Sequence, residues 1–289
     1  MITTEGENFY ALLGKKGVTP YAIRKFRTII YLYYHAHARN RLPWRKTDDP
    51  YHILVSEIML QQTQIERVLK KYQVFIDKYP EIQSLARARV RGLYSVWQGL
   101  GYNRRAIALK EIAQTVMTPP YHGRLPSDMD ELMKLPFVGQ STAGAVAAFA
   151  FNRPSVFIET NIRRVFIHFF FREHQKVTDS DIVPLITRTL DKKDPRNWYY
   201  ALMDYGSALR SLKNNPNLKS TQYKKQSTFA GSNRQMRGRI LRLVSEQRNI
   251  SVKKLNGQFN TSYDKVQEIV DQLCSEGFIK KKGQYVEMA

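Results

Sequence analysis

Apolar residues recur at helical spacing through almost the whole of residues 21–210, and this periodicity constrains the fold more than any other feature. In the stretch after Pro20, one helix face collects the apolar side chains Ile23, Phe26, Ile29, Ile30 and Tyr33. The same pattern predicts further helices at about 50–62, 64–78, 103–116, 140–151, 160–171 and 196–211. The turn-forming stretches LPWRKTDDP, QGLGYN and TPPYHGRLPSD separate them. Because no alternating strand pattern occurs here, the sequence predicts a mainly α fold.

The two ends of the chain differ from this helical region. Residues 1–20 are expected to form a loosely attached leader, and residues 211–233 are polar and predict a loop and linker. Residues 234–289 predict three helices and then two short strands, GFIKKK and QYVEM. This is the layout of a winged helix-turn-helix domain, which usually places its third helix in a DNA major groove. A protein-binding winged helix is the alternative.

The charge of the chain indicates a polyanionic partner. Lys and Arg number 46 against 25 Asp and Glu, for a formal net charge of +21. Such an excess favours nucleic acid through phosphate neutralisation and counterion release, although other basic proteins share it. The sequence contains neither an apolar stretch long enough to span a bilayer nor the pattern of a signal peptide. We therefore expect no membrane partner and a cytoplasmic, nucleoid-associated protein.

The segment Leu135-Pro136-Phe137-Val138-Gly139 predicts a tight turn that enters a helix of small residues. Gly139 is expected to supply a positive φ. The amides of Gln140, Ser141 and Thr142 would then lie at a helix N-terminus, where they form an anion site suited to a DNA phosphate. By itself the turn is weak evidence, because an ordinary helix entry has the same appearance.

This turn resembles the helix-hairpin-helix of the base-excision DNA glycosylases, whose hairpin reads Leu-Pro-Gly-Val-Gly, with Phe137 here at the first glycine. Five further motifs follow the order of that family over about residues 40–210: Leu42-Pro43-Trp44, PYHILVSEIMLQQTQ, VWQGLGY, ETNIRR and ALMDYG. The segment SEIMLQQTQ resembles the MutY-type adenine glycosylases more than endonuclease III, which lacks its glutamate, Glu57. The resemblance implies the two-lobed helical HhH-GPD glycosylase fold over residues 21–210.

Two carboxylates suit the cleavage of an N-glycosidic bond, which needs a protonated leaving base and a stabilised sugar cation. Glu57 lies in an apolar helical run, and such a setting keeps a carboxyl protonated near neutral pH. The alternative is a glutamate on the solvent side of a helix. By resemblance, Glu57 protonates the purine and later helps to activate water.

Glu159 stands where the family has an aspartate that stabilises the sugar. The additional methylene moves the charge by roughly 1.3 Å. Glu159 is therefore either a repositioned stabiliser in a reshaped site or a sign of reduced activity. Asn161 is expected to orient the backbone beside it or to cap the helix.

The resemblance also implies roles for other positions. Ser141 replaces the lysine that gives some family members lyase activity, so a monofunctional enzyme is expected. Four residues are candidates to fill the gap left by an extruded base. They are Gln61 and Gln62 on one side, and Tyr102 and Asn103 on the other. Trp44 is a candidate for lining the base pocket. The predicted phosphate contacts are Arg104, Arg105, Arg163 and Arg164, in addition to Val138, Gly139, Gln140 and Thr142 at the hairpin.

The expected cofactor content is small. The family's iron–sulfur cysteines match Arg210, Asn217, Ser220 and Gln226 here, and Cys274 is the only cysteine, so no such cluster is expected. Backbone carbonyls near Leu135 and Val138 could hold a monovalent cation when DNA is bound. The adenine glycosylases carry a different C-terminal domain that recognises 8-oxoguanine. Because a different domain stands there in this chain, the prediction that 8-oxoguanine lies opposite the removed adenine is weakened.

The resemblance implies a monomeric, monofunctional DNA glycosylase that acts on double-stranded DNA containing a lesion or mismatch. The expected reaction is hydrolysis of the N-glycosidic bond of a flipped-out base, with adenine as the expected base. Two alternatives stay open. One is a glycosylase for another base, such as thymine in a T·G mismatch or a modified base. The other is a DNA-binding regulator or structure sensor with a decayed catalytic site.

Overall fold

The structure, a computed structural model, describes residues 2–210, 215–226, 228–247 and 249–289. These residues are mainly helical, which confirms the predicted fold class. The helices before residue 211 are α1 (Ile2–Lys16), α2 (Pro20–His37), α3 (Pro50–Leu60), α4 (Ile65–Lys78), α5 (Ile82–Ala86), α6 (Val90–Trp97), α7 (Arg104–Val116), α8 (Met129–Met133), α9 (Gln140–Phe151), α10 (Thr160–Phe170), α11 (Asp179–Thr189) and α12 (Pro195–Leu209). No helix among the described residues is both long and apolar enough to cross a membrane.

The chain divides into two compact units, which are described separately. The first unit comprises Met1–Ile53, Pro126–Lys134 and Val138–Lys225. The second unit comprises Leu54–Leu125, Leu135–Phe137 and Gln226–Ala289. Residues 211–214 of the predicted linker lie outside the described residues.

An aromatic cluster forms the core of the first unit, where α10 packs against α12 and α1. The ring of Phe26 on α2 meets Phe169 at a centroid distance of 5.1 Å and Trp198 at 5.9 Å. Phe9 on α1 joins the cluster, with its ring 5.5 Å from that of Phe169. Burial of an aromatic side chain of this size contributes about 1.5–3 kcal/mol.

The prediction of a loosely attached leader over residues 1–20 is corrected by this packing. Phe9 is only 2% exposed, so α1 is part of the first unit's core. The amphipathic pattern of α1 is weak because Thr, Gly and Lys residues interrupt it. The contact that holds the helix is therefore formed with residues distant in sequence, where a local pattern cannot show it.

The C-terminal segment, residues 233–289, contains three helices and a small antiparallel sheet. The helices are α13 (Asn233–Glu246), α14 (Val252–Asn256) and α15 (Tyr263–Ser275), and the strands are β1 (Ile250–Ser251), β2 (Ile279–Lys282) and β3 (Tyr285–Met288). Strand β3 lies between the other two. The predicted order of three helices and a hairpin is present, whereas the two-residue strand β1 was not predicted. It is too short for an alternating pattern.

Apolar side chains join this C-terminal segment to the helices of the second unit. Leu241 and Val244 of α13 share one core with Val90 and Tyr94 of α6. The guanidinium of Arg91 also donates a 2.8 Å hydrogen bond to the carbonyl of Ser245. The C-terminal segment is therefore packed into the second unit, and α13 has a defined position beside α6.

Candidate active site and nucleic-acid interface

Glu159 is the N-cap of α10, and its carboxylate is held by three hydrogen bonds. Oε1 accepts the backbone amides of Asn161 and Ile162, each at 2.7 Å. Oε2 accepts the side-chain amide of Asn161 at 3.2 Å. Helix N-termini stabilise negative charge, so the first turn of α10 both orients this carboxylate and favours its ionised form. The cap is Glu159 itself, whereas the sequence had left Asn161 as an alternative cap.

Asn161 and Arg164 form the support behind Glu159. The guanidinium of Arg164 donates to Oδ1 of Asn161 at 2.8 Å and to the carbonyl of Gly206 at 2.6 Å. A side chain at Gly206 would overlap the backbone of Asn161. The glycine of the ALMDYG motif therefore permits the close approach of α12 to α10 on which the orientation of Asn161 depends.

Burial raises the pKa of Glu159 above its usual value. The amide hydrogen bonds from Asn161 and Ile162 and the charges of Arg164 and Arg163 act in the opposite direction and offset part of this rise. The carboxyl of Glu159 consequently gains its proton at a higher pH than an exposed glutamate would. This property bears on any reaction that needs the carboxylate form.

Glu57 lies in the second unit, within the apolar part of α3. Its neighbours Val55 and Ile58 are 0% and 1% exposed, while Glu57 itself is half-buried. A half-buried carboxyl between buried apolar residues is only partly hydrated, and the role of Glu57 stays a prediction. Glu159 belongs to the first unit.

The hairpin between α8 and α9 differs from the sequence prediction in one respect. Gly139 has a φ of −90°, so it does not supply the positive φ that was expected. Phe137 supplies it, with a φ of 60°. The left-handed residue is therefore at the position of the family's first glycine, and here it carries a side chain that is 48% exposed.

The residues after the hairpin turn differ in their exposure. Gln140 and Ser141 are exposed at the start of α9, whereas Val138 and Thr142 are buried. Because the cap residue Gly139 is a glycine, no cap side chain covers the first amides of α9. Leu135 is buried as well, at 2% exposed.

The candidate wedge residues lie on two turns with unusual backbone. Gln62 follows α3 with a φ of 52°, and Tyr102 precedes α7 with a φ of 45°. Both are exposed, as is Gln61, while Asn103 is half-buried. Positive φ at residues other than glycine costs about 1–3 kcal/mol and is concentrated at functional sites.

Arg105 joins these two turns, which corrects its predicted role as a phosphate contact. Its Nη1 donates to the carbonyls of Ile58 at 2.8 Å and Gln61 at 2.5 Å. Its Nη2 donates to Thr63 Oγ1 at 2.9 Å and to the carbonyl of Gly101 at 3.0 Å. Burial lowers the pKa of Arg105 to about 10. The guanidinium is thus committed to protein acceptors.

The other predicted phosphate contacts fall into two groups. Arg163 forms a 2.7 Å ion pair with Asp179, and Arg164 is buried beneath Asn161, so neither presents its guanidinium to solvent in the way expected. Internal hydrogen bonds made by these arginines are tertiary contacts, and the local sequence does not reveal them. Arg104 is exposed, and its guanidinium lies 5.6 Å from the ring centroid of Phe137.

Trp44 is 5% exposed within the short 3-10 turn Pro43–Arg45, so its ring lies beneath the surface. The adjacent Arg45 forms a 2.7 Å ion pair with the buried Asp204 of the ALMDYG motif. Burial opposes the charge on Asp204, but hydrogen bonds and charges from Arg45 and Arg39 outweigh it and hold its pKa below the usual value. The ion pair between Arg45 and Asp204 therefore joins the turn at Leu42-Pro43-Trp44 to the ALMDYG motif.

A cavity of about 370 Å³ in the second unit contains the wedge residues and reveals positions that sequence reasoning missed. Its lining residues are Gln61, Gln62, Tyr102, Asn103, Arg104, Arg105, Arg234, Arg237, Leu241 and Glu276. The sequence predicts α13 as a helix. Its placement beside Tyr102 is a long-range contact that the sequence does not show.

Comparison with known proteins shows that part of the chain is similar to DNA repair proteins. Residues 55–183 match the sequence profile of the HhH-GPD superfamily base excision DNA repair proteins. The matched segment covers less than half of the 289 residues. The matched segment contains Glu57, the hairpin and Glu159.

The proteins to which this chain is similar include enzymes named for two base specificities. It is 36% identical to the adenine DNA glycosylase of Buchnera aphidicola subsp. Baizongia pistaciae over 195 residues, which is 66% of this chain and 54% of that one. It is 29% identical to the thymine/uracil-DNA glycosylase of Pyrobaculum aerophilum over 196 residues, covering 65% of this chain and 84% of that one. The chain spans about half the length of the curated adenine glycosylases it matches.

A solved structure of a thermostable thymine-DNA glycosylase superposes on this chain with a TM-score of 0.59 and 26% sequence identity. The superposition covers 67% of this chain and 90% of the other. The helical fold of this part of the chain is therefore similar to that of the thymine-DNA glycosylase.

A four-cysteine iron–sulfur cluster does not fit the residues of this chain. Cys274 is its only cysteine, and the described residues contain no group of three or more His, Cys, Asp or Glu that could hold a metal. At the positions matching the cluster ligands, Asn217 and Ser220 are buried. Asn217 Nδ2 donates to the carbonyl of Thr160 at 2.9 Å, so a hydrogen bond links this loop to α10.

Proposed function

We propose that the protein is a monofunctional DNA glycosylase that removes a mispaired or damaged base, with adenine as the principal candidate. The observation that carries this proposal is the carboxylate of Glu159, which two amides of α10 orient at 2.7 Å. A charge held in this way can stabilise a sugar cation without reorganising during the reaction. The similarity to adenine glycosylases, at 36% identity, supports the choice of base.

In the proposed reaction, the protonated carboxyl of Glu57 donates its proton to a ring nitrogen of the extruded base. The bond between C1′ and the base then breaks, its electron pair stays with the base, and the base leaves neutral. The positive charge left on the sugar is stabilised by the carboxylate of Glu159. Water adds to C1′ and gives its proton to Glu57, which restores the acid and leaves an abasic site.

Ser141 supports a reaction without strand cleavage. Its hydroxyl is exposed at the start of α9, where lyase-active relatives are expected to carry a lysine amine. A hydroxyl cannot form the iminium intermediate that an amine forms with an abasic site. Borohydride should therefore trap no efficient covalent adduct between the protein and an abasic duplex.

Double-stranded DNA with a lesion or mismatch is the proposed partner, bound by a monomer. The net charge of +21 and the exposed residues Gln140 and Ser141 at the start of α9 support phosphate contacts there. The carbonyls near Leu135 and Val138 are proposed to hold a monovalent cation in the DNA complex. We also propose that the C-terminal segment is a winged helix-turn-helix.

Thymine opposite guanine is the second candidate substrate. The thymine/uracil-DNA glycosylase of Pyrobaculum aerophilum matches over 84% of its length, more than the 54% of the adenine enzyme from Buchnera aphidicola. A polar pocket can accept or reject a base through a few hydrogen bonds, so a shared fold does not decide the base.

A base-release assay on a panel of duplexes tests the proposed function. The panel pairs adenine, thymine, uracil and 8-oxoguanine with each normal base, and Glu57→Gln is the matched inactive control. Release of adenine that depends on Glu57 is the expected result. Release of thymine alone would transfer the specificity to the second candidate, and release from no duplex would favour a DNA-binding regulator.

A further inference from the structure

Another cavity, of about 570 Å³, lies within the C-terminal segment of the second unit. Its walls come from α14, the first half of α15 and the turn of the β2–β3 hairpin, and its lining residues are Ser251, Val252, Lys253, Asn256, Tyr263, Gln267, Lys281, Gly283 and Gln284. We propose that this cavity binds one unpaired nucleotide of single-stranded DNA, with the base stacked on Tyr263 and a phosphate beside Lys253. This inference goes beyond the proposed function, because the cavity takes no part in base release.

The three walls of the cavity are fixed to one another. The backbone amide of Val252, at the start of α14, donates to the carbonyl of Gln284 in the hairpin turn at 3.1 Å. Lys281 of the hairpin forms a 2.5 Å ion pair with Asp271 of α15. Apolar side chains of α14 and α15 share one core. The cavity is therefore largely formed before a ligand binds, as small-ligand sites usually are.

The cavity suits a nucleobase in both size and chemistry. Its volume lies within about 300–1,000 Å³, the range of sites that bind small organic ligands. The ring of Tyr263 is 47% exposed and offers a face for stacking, as aromatic side chains do in proteins that bind single strands. The amide side chains in the lining, those of Asn256, Gln267 and Gln284, supply donors and acceptors for base edges.

Asn256 carries a buried polar atom that the protein itself does not satisfy. Its Oδ1 has no hydrogen-bond partner among the residues that the structure describes. Most buried polar side-chain atoms in folded proteins have such a partner. Because the terminal torsion of an asparagine side chain is broad, a small rotation presents this amide to the N–H edge of a bound base. A base in the cavity would therefore give Asn256 the partner that the chain does not.

The charges of the hairpin argue against the usual docking of a winged helix on duplex DNA. Lys280 and Lys282 both form ion pairs with Glu287, at 3.2 and 2.9 Å. Lys281 is paired with Asp271. The exposed acidic residues of α15 are Asp264, Glu268 and Asp271. A helix and a hairpin with this charge pattern are poorly suited to the phosphates on either side of a DNA groove.

A concave site of this kind selects an unpaired nucleotide. A base inside a duplex shows only its edge in a groove, and it enters a cavity only after it leaves the stack. One nucleotide of a single strand needs positive charge only locally, and the exposed Lys253 supplies it. DNA is the expected strand because residues 55–183 match base excision DNA repair proteins.

The test measures binding of the full chain to a fluorescent oligodeoxythymidylate of about ten nucleotides. Tyr263→Ala should weaken binding about 10-fold, whereas Tyr263→Phe keeps the ring and should bind within about 2-fold of the parent. Tyr285→Ala is the matched control, because Tyr285 is also an exposed tyrosine of this segment but lies outside the cavity lining. Thermal unfolding of each variant checks that the second unit is folded.

Two neighbouring lysines of α14 test the phosphate contact in the same way. Both are exposed, but only Lys253 lines the cavity, whereas Lys254 does not. Lys253→Ala should lower the slope of log affinity against log salt concentration by about 0.7, the value for one phosphate of a single strand. Lys254→Ala should keep the slope of the parent.

Photocrosslinking locates the bound base. An oligodeoxythymidylate with one 5-iododeoxyuridine should crosslink to Tyr263. Trypsin cuts after lysine and arginine, so it places Tyr263 on a different peptide from Tyr102 and from Tyr285. Mass spectrometry of the crosslinked peptide therefore distinguishes this cavity from other surfaces that could hold a single strand.

The proposal is overturned if Tyr263→Ala binds like Tyr285→Ala, or if the crosslink lies only on residues outside the cavity. A paired duplex with the same dependence on Tyr263 would also overturn it, because that result indicates groove docking. Equal, Tyr263-dependent affinity for oligouridylate RNA would contradict the assignment to DNA. Competition by thymidine monophosphate at the same concentration would indicate a site for free nucleotides rather than for a strand.

These outcomes are independent of base release. A protein that binds the single strand through Tyr263 but releases no base would retain this site and lose the proposed enzymatic function. A protein that releases a base and shows no Tyr263-dependent binding would keep the enzymatic function and lose this site.

Discussion

The Oε1 atom of Glu159 accepts the backbone amide of Asn161 at 2.7 Å, and the side-chain amide of the same asparagine donates to Oε2 at 3.2 Å. One residue thus orients both oxygens of the carboxylate. The departure from the family's aspartate is accommodated by this arrangement, because the longer side chain still caps α10. Retained activity is the consequence that we expect.

Asn161→Ala should slow base release while leaving the protein folded. The variant loses the contact to Oε2 and the acceptor for Arg164 but keeps the backbone amide. A misplacement of the carboxylate by about 1 Å should lower the single-turnover rate about 10²-fold. The loss of the Arg164 acceptor should lower the free energy of unfolding by about 1–3 kcal/mol.

The matched control for this prediction is Asn197→Ala, which removes an asparagine at the exposed start of α12, where it donates to Asp194. Single-turnover kinetics and urea unfolding are measured on both variants. A rate for Asn161→Ala equal to that of Asn197→Ala would show that Asn161 does not position Glu159.

The pH dependence of base release should report the raised pKa of Glu159. The carboxylate form stabilises the sugar cation, and burial makes the carboxyl gain its proton at a higher pH than usual. As the pH falls, the single-turnover rate should therefore begin to decline above the range of an ordinary glutamate. Glu159→Gln should remove this acid limb and lower the rate at neutral pH.

Rates measured from acid to alkaline pH under single-turnover conditions test this prediction. Glu66, on α4 in the second unit, offers a control, because Glu66→Gln removes an exposed carboxylate and should leave the profile unchanged. An acid limb that persists in Glu159→Gln would assign the titration to another group.

The positive φ of Phe137 predicts an ordering of two variants. Phe137→Gly and Phe137→Ala both remove the exposed ring, but only glycine adopts a φ of 60° without strain. The glycine variant should therefore be the more stable of the two by about 1 kcal/mol. Urea unfolding measures this difference, and an alanine variant of equal or greater stability would contradict the strained backbone.

The sequence predicted those parts of the fold that depend on local pattern. Helices α9, α10 and α12 follow from apolar periodicity and lie close to their predicted bounds. The conformation of Phe137 was missed because glycine is the usual residue at a positive φ. The sequence therefore predicts the left-handed residue at Gly139, whereas the backbone adopts this conformation two positions earlier, at Phe137.

The parts that could not be predicted are contacts between distant segments. Arg105 and Arg164 were expected to meet phosphate because exposed arginines commonly do, and nothing in the neighbouring residues reveals their internal acceptors. The position of Arg234 beside Tyr102 depends on the packing of α13 against α6. Side-chain identity suggested the chemistry of these residues, and only tertiary structure could assign their partners.

The rate of base release by Glu57→Gln, compared with that of the parent under single-turnover conditions, tests the central claim most directly. The substrate is the duplex that the parent cleaves best, with adenine opposite guanine or 8-oxoguanine as the first choice. Loss of the general acid should slow release by at least about 10²-fold while DNA affinity stays within a few-fold of the parent. A Glu57→Gln protein that releases the base at the parental rate would contradict the account.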